Sequence, residues 1–236
     1  MKAWARMPSD WLRDEDNSLL ATMRWKGQNK SDQIAALMLY VVVVQHAIDE
    51  PQPMQPGKGC CALTYTQLSE ITGLSRAKVA GGLKILLRHD LIENIKTGRN
   101  NLFRVANYGQ ASGWAKLPAK GLYSENLTKI KAFHAFHLRQ KNELNALKIY
   151  LTILAFRSNV ENHAKLTYET LTKYTGVQRN EVRSAISLLV NLEFIQVDRA
   201  ESDINQFASV NTYRPCFLDS YRHRGTISPN SSEFQS

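Results

Sequence analysis

The sequence predicts a mainly α chain with small β-hairpins, an α+β class, built as two copies of one unit. Three observations carry this reading. A short motif and an apolar helix pattern both return 110 residues later. Apolar residues at spacings of three and four mark helices. Alternating segments beside turn residues mark hairpins. The 236 residues are 43% hydrophobic and 22% charged, a globular balance that excludes wholesale disorder.

The repeat fixes the organisation. Trp4-Ala5-Arg6-Met7-Pro8-Ser9 returns as Trp114-Ala115-Lys116-Leu117-Pro118-Ala119, and Ala36-Leu37-Met38-Leu39-Tyr40 as Ala146-Leu147-Lys148-Ile149-Tyr150, both at a spacing of 110. Leu63-Thr64-Tyr65 returns as Leu166-Thr167-Tyr168 at 103, so the first copy holds seven extra residues. They fit the Pro- and Gly-rich segment Asp49 to Gly59. The register of 103 pairs Thr72-Gly73 with Thr175-Gly176, Arg76 with Arg179, Val79 with Val182 and Leu86 with Leu189. Val105 to Tyr108 then pairs with Val210 to Tyr213. The division is residues 1–110, including an N-terminal extension, residues 111–220, and a flexible polar tail over 221–236.

Within the first copy, Ser31 or Asp32 caps a helix running to about His46, apolar around nearly its whole circumference and therefore central. Leu63 to Tyr65 reads as a short strand. Thr66 caps a helix through Ile71, which Gly73 ends in left-handed conformation. Ser75 caps a second helix from Arg76 to about His89, with Val79, Leu83 and Leu86 inward. Leu91 to Ile95 and Leu102 to Val105 form a hairpin around Lys96 to Asn101. The second copy repeats this order, with helices over Tyr168–Tyr174 and Gln178–Asn191 and a hairpin of Ile195–Val197 with Ala208–Val210.

Leu68-Ser69-Glu70-Ile71-Thr72-Gly73-Leu74-Ser75-Arg76, followed by Val79, Leu83, Leu86 and Leu91-Ile92, resembles a winged helix-turn-helix. So does Leu171 to Arg179 followed by Val182, Ile186, Leu189 and Phe194-Ile195. Two such units in one chain are similar to bacterial transcription regulators and to plasmid or phage replication initiators. The resemblance implies two tandem winged-helix domains, with double-stranded DNA as partner and the second helix of each pair in the major groove.

On that reading the DNA contacts of the first copy are Ser75, Arg76, Ala77, Lys78, Gly81, Lys84 and Arg88. Those of the second are Gln178, Arg179, Asn180, Arg183, Ser184 and Ser187. Small side chains at Ala77 and Gly81 allow close approach, Lys84 and Arg88 suit phosphate or guanine, and Asn180 suits adenine. Each also reads as part of a solvated polar face. Gly81 and Gly82 read equally as a close helix contact, and Arg76 and Arg179 as internal braces. Lys96, Arg99, Asn100 and Arg104 make the first hairpin cationic, fit for phosphate. The second, Asp198 to Asp203, carries more acid than base and is expected to stay off DNA. It leaves room for a protein or ribonucleoprotein partner. The aromatic, basic stretch Lys129 to Lys141 reads better as packing than as a phosphate grip.

The remaining observations set boundaries. Lys plus Arg is 30 against 21 for Asp plus Glu, a net charge of +9 that points first to nucleic acid, second to an anionic membrane surface and third to solubility alone. Cys60, Cys61 and Cys216 lack metal-ligand spacing and fit free thiols in a reducing cytoplasm. The N-terminus is not expected to be a signal peptide, and the longest apolar run, Ile34 to Val44, is too short to span a bilayer. No phosphate-loop, GxSxG or HExxH pattern occurs, so neither a catalytic role nor a cofactor is expected. A homodimer is compatible with the repeat and not required by it.

Overall fold

The computed structural model describes residues 1–16, 18–96, 101–110, 113–199 and 211–218. In the first half, β1 (Trp4–Pro8) leads to two single-turn helices, α1 (Asp10–Arg13) and α2 (Leu19–Thr22). Then follow α3 (Lys30–Gln45), β2 (Cys60–Cys61), α4 (Tyr65–Thr72), α5 (Arg76–Arg88), β3 (Ile92–Lys96) and β4 (Leu102–Val105). The second half has β5 (Trp114–Pro118), a 3-10 turn (Lys120–Leu122), α6 (Lys131–His134) and α7 (Lys141–Phe156). It ends with β6 (Ala164–Leu166), α8 (Tyr168–Thr175), α9 (Arg179–Asn191), β7 (Ile195–Arg199) and β8 (Asn211–Pro215). The class is α+β, with the small antiparallel sheets ordered β2-β4-β3 and β6-β8-β7.

The long helices α3 and α7 are central, as the all-round apolar pattern requires: Ile34 through Gln45 and Glu143 through Ala155 are buried. Each packs against the outer helix of its own half, α3 on α5 and α7 on α9. One apolar core runs through both halves.

Local chemistry moves several boundaries. The entry strand is Cys60–Cys61 rather than Leu63–Tyr65, because Cys61 and Cys60 pair with Phe103 and Arg104. Thr64 already caps α4: its hydroxyl accepts from Gln67 N and its own N–H donates to the Gln67 side chain, a reciprocal capping box. Thr66 is therefore not the cap. In the second half the strand is Ala164–Leu166, and Thr167 caps α8. Asn29, not Ser31 or Asp32, precedes α3. Gly73 and Gly176 end α4 and α8 at φ 75° and 66°, as expected.

The late register of the repeat also changes. Val105 pairs with Ile92, and Pro215 pairs with Ile195. Val105 thus corresponds to Pro215, and the buried Phe103 to the buried Tyr213, at a spacing of 110 again. Matching Val105 to Val210 followed side-chain identity across a loop of different length. The strand expected at Ala208–Val210 lies outside the described residues.

The halves are joined by a pseudo-two-fold. Strand β1 pairs antiparallel with its own repeat β5, Trp4 opposite Pro118, Arg6 opposite Lys116 and Pro8 opposite Trp114. On the outer face the Trp4 and Trp114 rings stack 5.9 Å apart, with Arg6 over Trp114 and Lys116 over Trp4. On the inner face Met7 and Leu117 are fully buried. A two-stranded ribbon is marginal alone, so this burial holds it.

The segments after β1 and β5 are exchanged. Arg13 donates through Nε to Ala155 O at 3.0 Å, while its equivalent Tyr123 donates to the Gln45 side chain at 3.1 Å. Gly176 is covered by Ala21, and Gly73 by His134. Each arm therefore reaches the helix pair of the opposite half. Trp11 additionally donates to Tyr40 O–H on α3, so the N-terminal aromatic residues serve both halves.

Candidate nucleic-acid interface

The same turn is built twice. Thr72 Oγ1 donates to Leu68 O and accepts from Leu74 N, and Thr175 Oγ1 donates to Leu171 O and accepts from Val177 N. This stitch, with the left-handed glycine beside it, sets the angle at which α5 and α9 leave the turn. Ser75 caps α5 through Lys78 N, as expected. Gln178 precedes α9 with no side-chain cap.

On α5 the exposed positions are Arg76, Ala77, Ala80, Lys84 and Arg88. Lys84 and Arg88 make no hydrogen bond or ion pair with any described residue, so their charges are available. Ala80 was missed by the sequence reading. Three expected contacts are engaged within the protein instead. Lys78 Nζ lies 2.7 Å from Asp32 and from Ser31, which ties α5 to α3. A Cβ on Gly81 would sit 2.5 Å from the Asp32 carboxylate, so Gly81 faces α3 rather than outward. Arg76 donates to Thr66 Oγ1 at 2.7 Å, bracing α5 against α4. Gly82 marks the helix crossing itself, 2.7 to 2.9 Å from Leu39, Ala35 and Ala36 for an added Cβ.

On α9, Arg179, Asn180, Arg183, Ser184, Ser187, Val190 and Asn191 are exposed, as is Gln178 just before it. Arg183, Ser187 and Asn191 line one groove with Asn211 of β8, between α9 and the hairpin. Arg179 is ion-paired with Glu169 on α8. Ser184 donates to Asn142 Oδ1 at 3.0 Å, the counterpart of the Gly81–Asp32 contact. Glu181, which flanks this face, turns to Lys141 at 2.7 Å and Asn145 at 3.3 Å. Neither outer face therefore presents a free carboxylate from its own helix.

The hairpins are described only in part. Arg99 and Asn100 lie outside the described residues, as do residues 200–210 of the second hairpin. Strand β3 ends at Lys96, beyond a register shift at Asn94. Arg104 is not an isolated cation: Glu93 faces it across the hairpin at 3.7 Å. Asp198 in turn lies 4.0 Å from Arg214, a partner the sequence reading did not assign.

The stretch Lys129 to Lys141 packs. Ile130, Phe133 and Phe136 are buried, and both Phe rings meet Phe194. His134 bonds to Glu70 O on α4. Glu143 accepts four backbone N–H groups, from His137, Leu138, Arg139 and Gln140, and so fixes the entry to α7. Glu15 pairs with Lys173, which holds its carboxyl below the ordinary range.

Cys60, Cys61 and Cys216 are free thiols, and burial raises Cys61 to about 11. Among the described residues no three His, Cys, Asp or Glu side chains gather as metal ligands would, and no helix is long and apolar enough to cross a membrane. No family model matches the chain, and no curated protein matches it.

Proposed function

We propose that the chain is a sequence-specific double-stranded DNA-binding protein made of two winged-helix units, acting as a transcription regulator or as a replication initiator. One observation carries this. Each half ends a stitched helix pair in an outer helix whose exposed face bears Arg, Lys, Asn or Ser and whose nearby carboxylate is withdrawn into an ion pair. Such a face meets a phosphate-lined groove without repulsion, and its amides and guanidiniums fit base edges. The net charge of +9 supports the same partner.

The pseudo-two-fold specifies the form of the site. Readers related by a two-fold address half-sites in inverted orientation. Because α5 carries Lys84 and Arg88 where α9 carries Ser187 and Asn191, the two half-sites differ in sequence. Selection of bound fragments from random and genomic DNA at about physiological salt tests this, since nonspecific binding is weak there. An imperfect inverted motif supports the reading. One genomic copy at a promoter indicates a regulator, and a cluster of copies an initiator. No enriched motif overturns it.

A further inference from the structure

Met38 and Lys148 are repeat equivalents on the two central helices. Met38 is fully buried, and Lys148 is only 4% exposed. A lysine at a core position carries a desolvation cost that its methionine counterpart does not. Its Nζ donates to Thr175 O at 3.2 Å, one acceptor for a group with three donors. No carboxylate among the described residues ion-pairs with it. Glu181, whose charge favours the ammonium, is held by Lys141 and Asn145.

Lys148 opens onto a cavity of about 420 Å³. Its walls are the exchanged arm of the first half, the first half of α7, and Gly176 and Gln178 of the turn that precedes α9. Arg24, Lys26, Lys141 and Lys148 line it together with Asn145 and Gln178, and no carboxylate does. Helix α9 begins at this wall without a side-chain cap, whereas Ser75 caps the equivalent α5. The positive end of its dipole adds to the field of the cations.

We propose that this cavity is a phosphate-binding site, taking the phosphoryl oxyanion of either a small molecule or a DNA backbone. Arg24 and Lys26 on the arm and Lys148 on α7 supply charge-assisted hydrogen bonds, and Lys141, already paired with Glu181, adds its charge nearby. The volume admits more than bare phosphate, so a phosphate ester fits. The equivalent place in the first half is built differently: Met38 stands where the lysine is, and His134 covers the Gly73 turn. The bound anion supplies the compensation that the buried ammonium lacks. The site does not depend on the DNA-binding reading.

Calorimetric titration and thermal unfolding of the full-length, DNA-free chain test it, with inorganic phosphate and then pyrophosphate at ionic strength held constant by chloride. The wild type is expected to bind saturably and melt higher. Lys148→Met, which installs the residue of the first half, is expected to fold and to lose saturable binding. Arg24→Ala is expected to weaken it about tenfold, one charge-assisted contact. Competition against random-sequence duplex then identifies the source. Displacement of phosphate by duplex indicates a backbone phosphate, and undisturbed phosphate binding indicates a separate small molecule; both support the site. No saturable binding by the wild type, or equal binding by Lys148→Met, overturns it.

Discussion

Lys78 and Glu181 occupy the same place in the repeated unit with opposite charge, and each ties its outer helix to the central helix of its own half. Lys78 reaches Asp32 and Ser31 on α3, and Glu181 reaches Lys141 and Asn145 on α7. Both bridges measure 2.7 Å. The geometry is kept while the sign is exchanged, which marks these residues as positioning the helices. Lys78→Glu sets a carboxylate against Asp32 and is expected to lower stability by about 1–3 kcal/mol, the range for a broken, partly buried pair. Adding Ser31→Lys and Asp32→Asn reproduces the Glu181–Lys141 pair of the second half, without the Asn145 contact, and is expected to restore most of the loss. Denaturant unfolding of the single and triple variants checks this; no recovery would mean that the two bridges are not interchangeable.

The exposed cations of α5 separate affinity from stability. Lys84 and Arg88 brace nothing among the described residues, so Lys84→Ala with Arg88→Ala is expected to change stability by no more than about 0.5 kcal/mol. On the DNA-binding reading the same pair lowers duplex affinity at least tenfold and reduces the salt slope by about one per lost phosphate contact. Arg76→Ala is expected to lower both quantities, because the guanidinium also holds Thr66. Salt-dependent binding and unfolding curves on one preparation distinguish the cases. Unchanged affinity in the double variant removes α5 from the interface.

The class and repeat order were legible because they rest on periodicity and on Gly73 and Gly176, whose positions are local requirements. The face of α5 was only half legible. Inward direction from Val79 and Leu83 placed Gly81 outside, yet Asp32, 49 positions earlier, lies against it. Arg104 likewise read as free because Glu93 faces it only once the hairpin closes. The exchanged arms were not legible at all. Nothing in the spacing of Trp11, Leu19 or Leu20 says which copy receives them, since both copies offer the same surface. Lys148 was visible as a mismatch within an otherwise apolar match, but its cavity forms from three distant segments.

The exchange of arms distinguishes two glycines. Gly27 and Gly176 both have positive φ, 77° and 66°, so alanine carries left-handed strain at each. That strain is about 1 kcal/mol. At Gly27 a Cβ meets nothing within 4 Å, whereas at Gly176 it lies 2.8 Å from Ala21 Cα. Gly27→Ala is expected to cost about 1 kcal/mol and Gly176→Ala about 2–4, since backbone must move. Faster proteolysis within residues 13–26 is expected only in the latter. Equal costs would mean that the arm is not seated on the turn between α8 and α9.

The buried ammonium gives stability a signature in pH. Burial, then the nearby Lys141 and Arg24, bring Lys148 down to about 8 from 10.5, with Glu181 opposing. Below about 8 both folded and unfolded chains hold the proton, and the folded state bears the full cost of the buried charge. Between about 8 and 10.5 the unfolded chain binds more protons, so this residue's contribution to stability rises with pH. The whole interval corresponds to roughly 3 kcal/mol. Lys148→Met is therefore expected to exceed the wild type by about 1–3 kcal/mol at neutral pH in phosphate-free buffer. The advantage shrinks toward zero as pH approaches 10.5. Other lysines and tyrosines titrate in both proteins and cancel in the difference. Parallel stability profiles across that interval would mean that the native ammonium is solvated and bears no burial cost.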